Sequence, residues 1–201
     1  MKVIFLDNDG VICLSNNWGS RLKKQKKWEH NKLSTTVSEM PVEYRFDNFD
    51  KKAIKILNEI LEETDAEIVV SSDWRLYANI EELGEYYLSQ GIIKKPYGVT
   101  EEFHYTKWLE EGFLPNHDNF NWYRNVSREQ ERYFEITRWL RDNPSVTQWV
   151  AIDDLNMGLE YHSFFGSKKS DWGLSNFVWT QYPLEGIKQS GIKDKVLSYL
   201  K

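Results

Sequence analysis

At 201 residues the chain is long enough for one domain with a sizeable core and an insertion. Its 26 basic and 31 acidic residues give a net charge of −5, which argues against a surface that coats polyanions but leaves room for a local basic patch. Cys13 is the only cysteine, which excludes an intramolecular disulfide and fits a reducing compartment.

The N-terminal residues show no signal-peptide layout, and no apolar run approaches membrane-spanning length. The expectation is therefore a cytoplasmic protein with no membrane association. The run Val3-Ile4-Phe5-Leu6 reads as a buried strand, followed at once by Asp7-Asn8-Asp9-Gly10. Side chains of an extended segment alternate, so Asp7 and Asp9 are expected on the same side. Two carboxylates that close repel unless a cation lies between them. An all-oxygen donor set of this kind suits Mg²⁺. Asn-Asp-Gly is also ordinary turn chemistry, so at this point a strand followed by an Asp-rich turn stands beside the cation reading.

Cys13 to Arg45 reads as irregular and polar, a basic loop over 14–46 holding Arg21-Leu22-Lys23-Lys24-Gln25-Lys26-Lys27-Trp28. With Trp18 and Trp28 nearby, this cluster can grip a nucleic-acid backbone and stack a base, or it can be a solvated loop, which is the reading taken. Asn48 to Thr64 reads as a helix, with Ala53, Ile54, Leu57, Ile60 and Leu61 at helical spacing and Asn48 or Asp50 as its cap. A second strand, Ala66 to Val70, runs into Ser71-Ser72-Asp73-Trp74-Arg75. A helix with an Asn79/Glu82 capping pair then leads to Gly91. Within the serine segment Trp74-Arg75 reads as structural, with Arg75 pairing to a carboxylate or a helix end.

The stretch 94–125 breaks the strand–helix rhythm. It is rich in aromatic residues, from Phe103, Tyr105 and Trp108 to Trp122 and Tyr123. Long excursions are usually functional, and two readings fit: a small cap beside the site, or an aromatic satellite core. Ser127 with Gln130 opens a further helix to Arg141 or Asp142, carrying Ile136, Trp139 and Leu140 on its inner face. Thr147 to Ile152 is a third strand ending in Asp153-Asp154, Asn176 to Thr180 a fourth, and Gly191 to Leu200 a closing helix. The fold expected is α/β, a three-layer Rossmann-like parallel sheet with a small aromatic-rich insert, as one domain over 1–201.

The acidic and hydroxyl groups fall at strand ends, where open α/β sheets bind ligands. Asp-Asn-Asp-Gly-Val at 7–11, Ser71 after the second strand, Arg132 on the helix before the third strand and Asp153-Asp154 after that strand follow the order of the haloacid dehalogenase (HAD) signatures. The chain resembles that superfamily over nearly its whole length. It is most similar to the small HAD domains associated with nucleic-acid (RNA) repair enzymes. The segments that carry this closer resemblance are Ser71-Ser72-Asp73-Trp74-Arg75, Arg132-Tyr133-Phe134-Glu135-Ile136-Thr137-Arg138-Trp139-Leu140, and Phe177 to Thr180 followed by Gly186-Ile187.

The resemblance implies a Mg²⁺-dependent phosphatase acting on a phosphomonoester, with a nucleotide or nucleic-acid end as the suggested substrate and a sugar phosphate as the rival. It implies Asp7 as nucleophile and Asp9 as general acid and base. The ion would be held by Asp7, Asp9 through its carbonyl, Asp153 and Asp154. Ser71 and Ser72 with Arg132 would receive the phosphate. Family members commonly place Lys where Arg132 stands, so Arg75, Arg124 and Arg128 are rivals for that role. Each residue also has a plainer reading: Asp153-Asp154 can begin a surface turn, Ser71 and Ser72 can cap the next helix, and Arg132 can be a solvated charge. Cys13 reads as a packing residue. His30, His104, His117 and His162 lack metal-ligand spacing with cysteines, though His104 or His117 can reach a substrate from the insert. No obligate protein partner is evident. The alternative of another class is a catalytically silent HAD-like module that binds nucleic acid or a protein.

Overall fold

The computed structural model describes residues 1–29, 40–114, 126–158 and 172–201. Its sheet is built from short apolar runs: β1 (Lys2–Leu6), β2 (Glu67–Val70), β3 (Gly98–Val99), β4 (Gln148–Asp153) and β5 (Phe177–Trp179). All neighbours pair in parallel, in the order β3-β2-β1-β4-β5. A buried parallel sheet is covered on both faces, and alternation along β1 displays this. Ile4 and Leu6 join one core with Ile68, Val70 and Val150, while Val3 and Phe5 join another with Val69 and Ala151.

The first face is covered by α3 (Lys51–Thr64), α4 (Ile80–Gln90) and α7 (Ile192–Leu200), reached after α1 (Ser20–Glu29), α2 (Val42–Arg45), α5 (Tyr105–Glu110) and α6 (Arg128–Asp142) are placed along the chain. The second face is covered by α6 through Ile136, Trp139 and Leu140. The result is three layers, an α/β Rossmann-like fold. Local sequence sets the helix starts. The Asp50 carboxylate accepts from the Lys52 and Ala53 amides, each at 3.0 Å, so Asp50 rather than Asn48 caps α3. Asn79/Glu82 and Ser127/Gln130 form reciprocal capping boxes on α4 and α6. No described helix is long and apolar enough to cross a membrane.

Two expectations change. The basic run is not a loop: Ser20–Glu29 is the helix α1, made of residues that lose little side-chain freedom in a helix. Its Arg21, Leu22, Lys23, Lys26 and Lys27 remain exposed, while Trp28 is buried. In addition, the stretch read as breaking the rhythm at 94 begins within the sheet, because Gly98–Val99 pairs with Val69 and Val70 as its edge strand. Beyond it, Phe103, Trp108, Phe113 and Leu114 pack with Phe134 of α6 as a small satellite cluster. The remainder, 115–125, lies outside the described residues.

Candidate active site at the strand ends

The parallel register makes β1, β2 and β4 finish level. Leu6 lies opposite Val70 on one side and Ile152 on the other. The ladder continues one step further: the Asp7 amide donates to the Ile152 carbonyl at 3.0 Å, and the Ser71 amide to the Leu6 carbonyl at 2.9 Å. Asp7, Ser71 and Asp153 therefore leave adjacent backbone positions at one edge of the sheet.

β1 stops at Leu6, so a turn and not strand alternation aims Asp9. The Asn8 carbonyl accepts from the amides of Val11, Ile12 and Cys13 at 3.3, 3.0 and 2.8 Å. Gly10 sits in this turn at φ +70°, and a Cβ there would overlap Asp154 Oδ2. Only glycine tolerates both that conformation and that approach. Asp9 Oδ2 then accepts from Trp74 Nε1 at 2.8 Å. Trp74 is itself fixed by stacking on Phe46 and Phe49, with ring centroids 4.4 and 5.3 Å away.

Arg132 reaches the site from α6 and is only 2 % exposed, so it is not a solvated charge. Its Nη1 donates to Asp7 Oδ1 at 3.2 Å, to Asp153 Oδ2 at 3.0 Å and to the Ser71 carbonyl. Its Nη2 donates to Asp73 Oδ1 at 3.1 Å, and its Nε lies 3.3 Å from Glu135 Oε2. Glu135, one helical turn away and also buried, faces Arg75 Nη2 at 2.7 Å and accepts from the Phe103 amide at 3.0 Å. A buried charge is tolerated when paired and hydrogen-bonded, and here the pairing runs as a chain from Asp7 and Asp153 through Arg132 to Glu135 and Arg75.

Carboxylate oxygens of Asp7, Asp153 and Asp154 lie within 4.8 Å of one another. Burial pushes the carboxyls of Asp153 and Asp154 up to about 7. It also holds Asp7 well above the ordinary carboxylate range, and the charge of Asp153 adds to this. Asp9 is raised by burial too, although its bond from Trp74 works the other way. Burial alone would lower the Arg132 guanidinium, but Asp153, Asp7, Glu135 and Asp73 outweigh it and keep the group charged. Three oxygen donors that resist ionising together are a donor set that a hard divalent cation suits. Buried hydroxyls at the same edge add to this. Ser71, Thr100 and Thr180 each follow a strand, and their hydroxyls have no hydrogen-bond partner among the described residues. Such groups are donors in reserve for a polar ligand.

Of the residues singled out by sequence, Asp7, Ser71, Arg132, Asp153 and Asp154 converge. The Asp9 side chain stands beside them, outside the three-carboxylate group. Ser72 is buried at the head of the 3-10 turn Asp73–Leu76, with no capping bond from its side chain, and its hydroxyl faces Asp7, where it favours the charged carboxylate. Among the rival arginines, Arg75 is engaged by Glu135 and Arg128 by Asp73 and Glu131; Arg124 lies outside the described residues. His104 is exposed at the start of α5, and His30, His117 and His162 lie outside the described residues. Cys13 is buried and its thiol is pushed up by burial, which suits packing. Sequence reading gave Glu135, Asp73 and Trp74 no part at the site. The i, i+3 spacing of Arg132 and Glu135 was the available signal for the first.

The family described as HAD domain in Swiss Army Knife RNA repair proteins matches residues 3–176, a span that holds Asp7, Asp9, Ser71, Arg132, Asp153 and Asp154. No curated protein matches the chain, and no solved structure does.

Proposed function

Since the chain belongs to the family of HAD domains in Swiss Army Knife RNA repair proteins, a family of phosphohydrolase type, we propose that it is a Mg²⁺-dependent phosphatase that hydrolyses a phosphomonoester on a nucleotide or nucleic-acid end. The observation that carries this reading is the gathering of Asp7, Asp153 and Asp154 around one point, with Arg132 bonded to two of them and to the Ser71 carbonyl.

In the proposed reaction a carboxylate oxygen of Asp7 attacks phosphorus and the ester P–O bond breaks, leaving an aspartyl-phosphate. Asp9 gives its proton to the departing oxygen. The direction of its shift supports that role, because a carboxyl raised by burial keeps a proton available. The carboxylate so formed then takes a proton from water, which attacks the phosphorus and releases phosphate and the free Asp7. Ser71 and Ser72 would donate to phosphoryl oxygens, and Arg132 would offset the charge that gathers there. Asp7, Asp153 and Asp154, with the Asp9 carbonyl, would hold Mg²⁺, which when bound screens the nucleophile from the phosphate and keeps the reacting groups in line.

The test is hydrolysis of an aryl phosphate with Mg²⁺ and with EDTA, in the natural chain and in Asp7→Asn. Turnover that needs Mg²⁺ and falls at least about a thousandfold in the folded variant is expected. Full activity in Asp7→Asn removes the aspartyl-phosphate. Absence of turnover on every phosphate tried, with oligonucleotide binding retained, would favour a silent binding module.

A further inference from the structure

A cavity of about 410 Å³ opens beside Asp9, on the flank formed by α1, α2 and the Asp73–Leu76 turn. Its lining includes Asp9, Arg21, Gln25, Phe46, Trp74 and Tyr77. The volume lies in the range of pockets that enclose a small organic ligand. The position matters more than the size. If Asp9 protonates the departing oxygen, as proposed above, the space on its side belongs to the leaving group. Trp74 connects the two, since the indole that forms part of the cavity floor is also the donor to Asp9 Oδ2.

The walls select among leaving groups. Trp74 and Phe46 stack on each other, 6° from parallel, and are buried, so they form a rigid aromatic back to the pocket and leave its open ring surface to Tyr77. The Tyr77 ring is 60 % exposed, a large apolar surface facing solvent at the pocket. Gln25 supplies a carboxamide whose nitrogen donates to the Tyr44 carbonyl. The Arg21 side chain is 53 % exposed, and its nearest carboxylate, Asp47, is 4.0 Å from Nε. Two other charges at the pocket are already engaged: Arg45 by Glu82 and the Met40 carbonyl, and Asp73 by Arg132 and Arg128. From Arg21 the helix α1 continues with exposed Lys23, Lys26 and Lys27. An exposed ring such as Tyr77, with a cation at the rim, is how proteins hold a stacked base and its backbone phosphate.

We propose that this cavity is the leaving-group subsite and that it takes the terminal nucleoside of a phosphorylated polynucleotide end. Tyr77 is the stacking wall, and Arg21 contacts the next phosphodiester. The inference rests on the hydrolase reading for which side the leaving group occupies, but the pocket can be tested apart from turnover.

One arm compares kcat/KM for 3′- and 5′-phosphorylated dinucleotides with that for glycerol 2-phosphate. The natural chain should favour one of the dinucleotides. That ratio should fall about tenfold in Tyr77→Ala and be restored in Tyr77→Phe, since base stacking by a ring is what the wall supplies. In Arg21→Ala it should fall a few-fold at low salt and less at high salt. A ratio near one in the natural chain, or a ratio untouched by both variants, overturns the proposal. The other arm measures binding of the same dinucleotides by calorimetry in the Asp7→Asn background, where no turnover intrudes. Affinity that drops in Asp7→Asn/Tyr77→Ala supports the subsite even if the hydrolase reading fails. Affinity that does not drop removes the subsite while leaving hydrolysis intact. Both substitutions are at exposed side chains, and unchanged melting temperatures show that the fold is kept.

Discussion

The helices α3 and α6 have 14 and 15 residues, both begin at a side-chain cap, and they cover opposite faces of one sheet. What they bury differs. α3 turns Ala53, Ile54, Leu57, Ile60, Leu61 and Thr64 inward, whereas α6 buries Arg132, Glu135 and Arg138 beside Ile136. Apolar burial stabilises directly. Buried ion pairs roughly offset their own desolvation and become strongly destabilising only when one partner is removed. α3 therefore acts through apolar burial, whereas α6 adds to the apolar contacts of Ile136, Trp139 and Leu140 a charged row that serves the strand ends at little net gain in stability.

The sharpest way to break this contrast is to remove its central charge. Arg132→Met should lower kcat about 10²–10³-fold and destabilise by about 3–5 kcal/mol, because Asp7, Asp153 and Glu135 lose their common partner. Leu57→Ala on α3 should cost about 2–5 kcal/mol while kcat, measured well below the melting temperature, stays at the level of the natural chain. Equal loss of kcat in the two variants would mean that the faces are not separable. Glu135→Gln keeps an acceptor for the Phe103 amide but removes the charge facing Arg75 and Arg132. It should lower the urea midpoint by the equivalent of about 1.5–3 kcal/mol.

A smaller effect follows from pH. Asp153 and Asp154 sit at about 7 in the fold without an ion, against an unfolded value near 3.9. Between those values the folded state holds more protons than the unfolded one. Metal-free stability contributed by this pair should therefore fall as pH rises from about 4 to about 7. The gain in melting temperature on adding Mg²⁺ should be larger at pH 7.5 than at pH 5. A gain that is the same at both pH values would show that the pair does not hold the ion. The smallest effect expected is at the caps: Asp50→Ala and Ser127→Ala should each cost about 1 kcal/mol, and only the second, on the helix that carries Arg132, should also reduce turnover.

Much of this was legible in the residues because local chemistry decides it. The run Val3–Leu6, the capping residues at 50, 79 and 127, and Gly91 at the end of α4 leave the chain few choices. The strand-end acids were legible too, since they lie where three buried runs stop. What stayed hidden depends on tertiary neighbours. α1 has no apolar stripe, so its pattern resembles that of a solvated loop. β3 is two residues long and exists only because β2 offers it an edge. From the sequence Arg132 is placed at the phosphate by resemblance alone, since on its own helix it can equally be a surface charge until Glu135, Asp7 and Asp153 are seen around it, and the link from Trp74 to Asp9 spans 65 positions of chain.

The level finish of β1, β2 and β4, with Leu6 opposite both Val70 and Ile152, limits how such a chain can drift over evolution. An insertion or deletion within any one of the three would move its terminal group by about 3.3 Å relative to the other two and turn it to the opposite face of the sheet, which breaks contacts that now lie at hydrogen-bond distance. Changes of length are therefore confined to the connecting segments, and a homologue that gains or loses residues should do so there, keeping the residue count of each run up to its acid or serine fixed.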